Sequence, residues 1–239
     1  MRASSVAIVI GFVLLAAPVA GQTTTASVIG TVTDAQKGVL PGATVTALNV
    51  ENGAQATGVT DATGAYRIPA LRPGLYDVNV EMQGFASRSR KGIQLFVGTE
   101  AKIDFELGLA GVEESVTVTG EAPLIEVTKS EVSSVIDRKQ IDALPLSGRS
   151  FTDLMRLTPG VDPSGRIGGM YETASNSYLV DGVSNDRAWT GGNRTSYSAE
   201  TIREFRVITE QFAAEYGQAS GGVVNVVSRS GTNNFENRV

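Results

Sequence analysis

The sequence predicts an all-β sandwich of about seven strands, followed by a small α/β domain with a mixed sheet. Three observations lead there. Residues 27–110 alternate apolar and polar with period two, and turns punctuate them at short intervals. A β-prone stretch then stands alone between Gly111 and Gly120. From residue 131 onward, helix-capping signals alternate with short apolar runs and glycine-rich loops. A chain of 239 residues has room for two such domains.

Composition removes several kinds of chemistry. With no histidine and no cysteine, the chain cannot build a Ser-His-Asp triad, a thiol nucleophile, a disulfide, an Fe–S cluster or a His-ligated zinc site. The net charge of −5 offers no broad basic surface, so nucleic acid is not an expected partner.

The first 21 residues read as an export signal. Arg2 precedes an apolar run from Val6 to Ala17. That run is too short for a membrane-spanning helix, which needs about 20 residues, but suits a signal-peptide core. Cleavage between Gly21 and Gln22 places Val19 and Gly21 at the small-residue positions. The mature charge is then −6, from 19 basic and 25 acidic residues. An exported chain without cysteine points to a bacterial envelope.

Within residues 22–110, strands are expected at 27–33, 44–50, 66–68, 75–82, 93–97 and 102–107. Tyr76, Val78, Val80 and Met82 face inward, with Asp77, Asn79 and Glu81 outward. Ile103, Phe105 and Leu107 alternate in the same way with Lys102, Asp104 and Glu106. Leu40-Pro-Gly-Ala43, Asn52-Gly53, Asp61-Ala-Thr-Gly64 and Arg72-Pro-Gly74 supply the turns. Asp34 and Asp61 read as turn-forming residues rather than calcium ligands, and no metal site is expected.

Residues 111–130 form a linker. Its segment Glu114, Ser115, Val116, Thr117, Val118 and Thr119 is stopped by Gly120 and Pro123. From spacing alone it reads equally as the last strand of the sandwich or as a strand whose free backbone joins a partner's sheet edge.

In residues 131–239, Asp137 and Gln140 form a variant capping box, with Ile136 and Ile141 as its hydrophobic staple. Ser150 caps a second helix carrying Phe151, Leu154 and Met155, which ends at Thr158-Pro-Gly160. Strands are expected at 177–180, 205–209 and 222–228. Ser198 caps a short helix through Arg203, and 213–216 form a helical turn. The long polar loops carry Tyr171, Trp189 and Tyr197, aromatic candidates for stacking on a small ligand or glycan. No catalytic constellation is present: Gly165-Arg-Ile-Gly-Gly169 lacks phosphate-loop spacing, and no carboxylate pair is placed across a substrate. No cofactor and no enzymatic activity are expected.

Gly30-Thr-Val-Thr-Asp34, Leu40-Pro-Gly-Ala43, Thr60-Asp-Ala-Thr-Gly-Ala-Tyr66, Leu71-Arg-Pro-Gly-Leu-Tyr76 and Gly84-Phe85 resemble the carboxypeptidase regulatory-like domain. That family has a transthyretin-like sandwich, grouped with carbohydrate-binding-like folds. Leu144-Pro-Leu-Ser-Gly-Arg-Ser-Phe151, Leu157-Thr-Pro-Gly-Val161, Asn176-Ser-Tyr-Leu-Val-Asp-Gly182, Ile202-Arg-Glu-Phe205, Ala214-Glu-Tyr-Gly217 and Gly221-Gly-Val-Val-Asn-Val-Val-Ser-Arg-Ser-Gly231 resemble the plug domain of TonB-dependent outer-membrane receptors. The resemblance implies a plug that gates an outer-membrane β-barrel and helps bind its ligand. It also implies a TonB-like inner-membrane energy transducer that pulls on the TonB box, for which Glu114–Thr119 is the candidate. The sequence stops at Val239, before the barrel of about 22 strands found in such transporters. The expectation is therefore a fragment, a truncated product or a barrel-less relative that does not transport alone. A secreted or cell-surface carbohydrate-binding or adhesive module is the alternative.

Overall fold

A computed structural model describes residues 24–110, the backbone of 116–119, and residues 132–143, 150–169, 175–187, 192–212, 216 and 219–233. The expected cleavage site Gly21–Gln22, the segment residues Glu114 and Ser115, the loop aromatics Tyr171 and Trp189, and most of the 213–216 turn lie outside them.

The first domain is a two-layer β-sandwich. One layer is built around β1 (Ala26–Asp34), flanked antiparallel by β4 (Ala65–Leu71) and parallel by β7 (Glu100–Lys102) and β8 (Phe105–Leu107). The other has β3 (Gln55–Val59), β2 (Thr44–Asn49), β5 (Gly74–Glu81), β6 (Arg88–Leu95) and β9 (Val116–Thr119), in that order across the sheet. Alternation does what period two requires. Tyr76, Val78 and Val80 are buried in one core with Val28, Val45, Ile68, Ile103, Phe105 and Leu107, drawn from both layers.

The strand expected at 102–107 is interrupted, and the reason is tertiary. β1 keeps one parallel register past both β7 and β8, but Ile103 and Asp104 step out of the ladder between them. The carbonyl of Ile103 accepts from the Tyr66 hydroxyl at 2.7 Å. The Asp104 carboxylate takes the Thr31 N–H at 2.8 Å in place of a strand partner. Gly30 is needed at this point, because a Cβ there would overlap the carbonyl oxygen of Ile103.

The second domain is a mixed five-stranded sheet, in the order β10 (Val132–Ile136), β13 (Ile202–Glu210), β14 (Gly222–Ser228), β11 (Asn176–Val180) and β12 (Val183–Ser184). Only β11 and β14 pair in parallel among its described strands. Helices α1 (Arg138–Ala143) and α2 (Phe151–Met155) contribute Ile141, Phe151, Leu154 and Met155 to a core with Tyr178, Phe205, Val207, Val224 and Val226. The capping box is present: Gln140 N–H donates to Asp137 Oδ1 at 2.9 Å, and Asp137 N–H donates to Gln140 Oε1 at 3.2 Å. Ser150 accepts from Thr152 N–H, as an N-cap does. The opposite face of the sheet carries the smaller cluster of Leu179, Ile208, Tyr216 and Val223.

β13 begins at Ile202, not at Phe205 as expected from the sequence, and Ser198 caps only a single 3-10 turn, Ala199–Thr201. The register shifts between Ile202 and Glu204, so this bulge lets Ile202 and Phe205 reach the same core. Glu204 and Arg206 then fall on the opposite face.

Candidate functional site: the strand after the sandwich and the joint between the domains

Val116–Thr119 pairs in parallel with the first half of β6, Arg88 opposite Val116 through Lys91 opposite Thr119. It is the last strand of its sheet; among the described residues nothing pairs with its outer edge. Of the two readings that spacing left open, this pairing is that of a last strand of the sandwich. One edge of Val116–Thr119 is engaged by the sandwich, because the polar main chain of β6 also needs a partner on that side.

The same β6 leads, six residues beyond Lys91, into the joint with the second domain. Phe96-Val-Gly-Thr99 is a β-turn closed by Thr99 N–H to Phe96 O, with Gly98 at φ +67° as a type II turn requires. The Thr99 hydroxyl donates to Phe96 O at 2.7 Å and tightens it. This turn uses Phe96 O and Thr99 N, leaving both polar groups of Val97 for the plug side. The Val97 N–H donates to Glu204 Oε1, and Val97 O accepts from Arg206 Nη1 at 3.0 Å. Val97 is fully buried yet belongs to none of the three apolar clusters.

Both clamp side chains are buried, Glu204 at 1% and Arg206 at 2% exposure. Arg206 is fixed from its other side by Ser133 Oγ, 2.7 Å from Nη2 and 3.1 Å from Nε. Burial pushes the Glu204 carboxyl up to about 7, opposed by the Val97 N–H and by the charges of Arg203 and Arg206, with Asp137 adding a small upward push. Desolvation wins because a charged carboxylate loses more on leaving water than one neutral donor and two partly engaged cations return.

A second contact lies beside the first. Arg203 grips Glu51 with both guanidinium nitrogens, at 2.6 and 2.7 Å. Asn233 donates its N–H to Glu51 O and its side-chain amide to Asn52 O. The Asn52-Gly53 turn, read from sequence as a simple reversal, is therefore also a docking point.

Of the three loop aromatics, Tyr197 is described and is 37% exposed. The loop that carries it is fastened at its base by Asn185, whose amide donates to Thr195 O at 2.8 Å and accepts from Thr195 N–H at 3.1 Å. Sequence reasoning missed the clamp residues Glu204 and Arg206. A signal was available: in Glu204-Phe-Arg-Val207 the charges alternate with apolar residues at strand spacing.

The comparisons with known proteins agree with the two-domain fold. Residues 27–108 match the carboxypeptidase regulatory-like domain family, and residues 126–224 match the TonB-dependent receptor plug domain family. The two matches lie in order along the chain, a regulatory-like sandwich followed by a TonB-dependent receptor plug domain. A curated relative is the TonB-dependent transporter Oar of Myxococcus xanthus, 33% identical over 224 residues, which make up 89% of this chain and 21% of that protein. Two solved structures resemble part of the chain. One is a candidate carbohydrate-binding protein of Bacteroides uniformis, 26% identical, covering 34% of this chain and 40% of that one, with a TM-score of 0.29. The other is catechol 1,2-dioxygenase of Acinetobacter radioresistens, 14% identical, covering 41% and 58%, also with a TM-score of 0.29. At these scores neither likeness bears on function.

Proposed function

We propose that this chain is the gating and energy-coupling part of an outer-membrane receptor. In this reading the plug sits in the lumen of a β-barrel, and its loops, with Tyr171, Trp189 and Tyr197, meet the ligand. Glu114–Thr119 is the TonB box taken by a TonB-like transducer of the inner membrane. The leader ending at Gly21 sends the chain to the envelope, with the outer membrane as its site of action. Residues 22–110, 111–130 and 131–239 serve as sandwich, linker and plug.

The observation that supports this reading is the position of Val116–Thr119: a β-strand between the two domains in the chain, paired with β6 along one edge and, among the described residues, with nothing along the other. Such an edge offers main-chain donors and acceptors to a partner's sheet. Titrating a labelled peptide of residues 111–123 with the periplasmic domain of the host's transducer tests it. Val116→Pro removes one donor and fixes φ, so it should abolish saturable binding, while Thr117→Ser should leave binding intact. Equal affinity of the wild-type and Val116→Pro peptides would remove the segment from the coupling role.

A further inference from the structure

We infer that the joint between sandwich and plug is a proton-operated latch: docking of the two folded domains takes up one proton at Glu204, so they are held together in acid and part as the medium turns alkaline.

The joint is built so that it can open. The two large apolar cores are closed within their own domains, one drawn from residues 26–107 and the other from residues 136–226. Between them the described contacts are polar: Val97 on Glu204 and Arg206, Glu51 on Arg203, and Asn233 on the Asn52 turn. Domains that meet through polar contacts move against each other by default, whereas a large apolar interface would hold them. Undocking exchanges these hydrogen bonds for bonds to water and leaves both cores intact.

Glu204 is the group that feels the change. Docking takes its carboxyl out of water and returns a hydrogen bond from the neutral Val97 N–H. An ion pair would keep it charged, but the neighbouring cations are directed elsewhere. Arg203 on the same strand grips Glu51. Arg206 is aimed at Val97 O and Ser133 Oγ. Arg138 of α1 holds Asp142 and the carbonyls of Ala199 and Ile202. On β14 the residue opposite Glu204 is the uncharged Val227. The turn Phe96-Val-Gly-Thr99 brings no titratable side chain, and Glu100 beside it is paired with Arg67 at 2.7 Å. Asp137 adds only negative charge. A carboxyl in such surroundings is buried at lower cost with its proton than without it. The docked group accordingly keeps the proton up to about 7, against an ordinary 4.5. Between those values each pH unit lowers the ratio of docked to parted molecules by about tenfold, the proton passing to solvent as the domains part.

The chain has no cysteine, so two spin labels can be placed without interference. Gln83 of the sandwich and Val183 of the plug are both exposed and take no part in the joint. Pulsed electron resonance on the full chain carrying labelled Gln83→Cys and Val183→Cys reads the distance between the domains. At pH 5 it should show one narrow distance. At pH 8 a broad distribution should replace it, the ratio of narrow to broad falling by more than about tenfold. Far-ultraviolet circular dichroism should be the same at both values, because each domain stays folded. Glu204→Gln keeps an oxygen for Val97 and cannot ionise, so the labelled variant should stay narrow at pH 8. A parent chain that stays narrow from pH 5 to pH 8 overturns the latch, and this series decides the matter even if the variant does not fold. Loss of the dichroism signal at pH 8 overturns it too, since the domains would then be unfolding rather than parting. A folded Glu204→Gln chain that broadens as the parent does would put the proton on another group and remove Glu204 from the role.

Discussion

The main-chain N–H of Val97, in a turn of the sandwich, donates to the buried carboxylate of Glu204, 107 residues further along in the plug. The two domains are thus joined by a contact that reads backbone on one side and charge on the other. Arg206, also buried, completes it by taking the carbonyl of the same Val97.

This joint should weaken as pH rises. The folded Glu204 carboxyl titrates at about 7, above its ordinary 4.5. Between those values the folded state holds a proton that the unfolded chain has released. Stability is therefore greatest toward pH 5 and falls as pH rises through 7. The lowered carboxyls of Asp61 and Glu106 act only below their ordinary values and so outside this window. Thermal melting at pH 5 and pH 8 should show a higher Tm at pH 5. Glu204→Gln keeps an oxygen acceptor for Val97 and should flatten that difference; an unchanged difference would place the titration elsewhere.

Arg206 should matter far more than Arg203, although both bridge the domains. Arg206→Met leaves Val97 O and Ser133 Oγ without that donor and Glu204 without a nearby cation, at a cost of about 3–5 kcal/mol. The Arg203–Glu51 pair keeps 15% and 32% of its side chains exposed, so Arg203→Ala should cost only about 0.5–1 kcal/mol. Urea unfolding measures both. Arg206→Met should also split a single transition into two, as the sandwich and plug unfold separately.

Residues 27–110 should fold as an isolated fragment, because every residue of the described core except Ala26 lies within them. Gly30→Ala should abolish its cooperative melt, at about 3 kcal/mol or more, since the added methyl meets the backbone at Ile103. Gly42→Ala meets nothing within 4 Å and carries only the strain of φ +83°, about 1 kcal/mol. Equal melting of the two variants would contradict this packing.

The mature protein should begin at Gln22. Mass spectrometry of the chain recovered from the envelope reads its N-terminus directly, and an intact Met1 there would rule out the proposed leader.

Local signals carried much of this architecture. The Asp137–Gln140 capping box and the inward face of Tyr76, Val78 and Val80 were legible, because each depends on residues a few positions apart. What escaped depends on distant partners. β3 is a polar edge strand with no residue in the described core, so its only signature is pairing with β2. β6 begins at Arg88 rather than Ile93, and its basic first half pairs with β5 without placing a residue in the apolar core. β10 was missed in the same way, with polar Ser133 and Ser134 at its centre. The start of β13 was hidden by Glu204 and Arg206, charged residues in buried positions that make sense only once Val97 lies between them. At Val116–Thr119 spacing alone left two readings even, and the pairing with Arg88–Lys91 shows where one edge of its backbone lies.

Because β9 runs parallel to β6, both strands point their C-terminal ends the same way, and at that end the Val97 turn grips the plug. The ladder between them consequently has a strong and a weak direction. A load along the strand axis puts every rung under shear together, so all must fail at once. A load across the axis opens rungs one after another from Val116 or Thr119, and each needs little force. A puller approaching from the side would detach the segment gently and leave the sandwich standing on the plug. One drawing lengthwise would drag both domains as a single load.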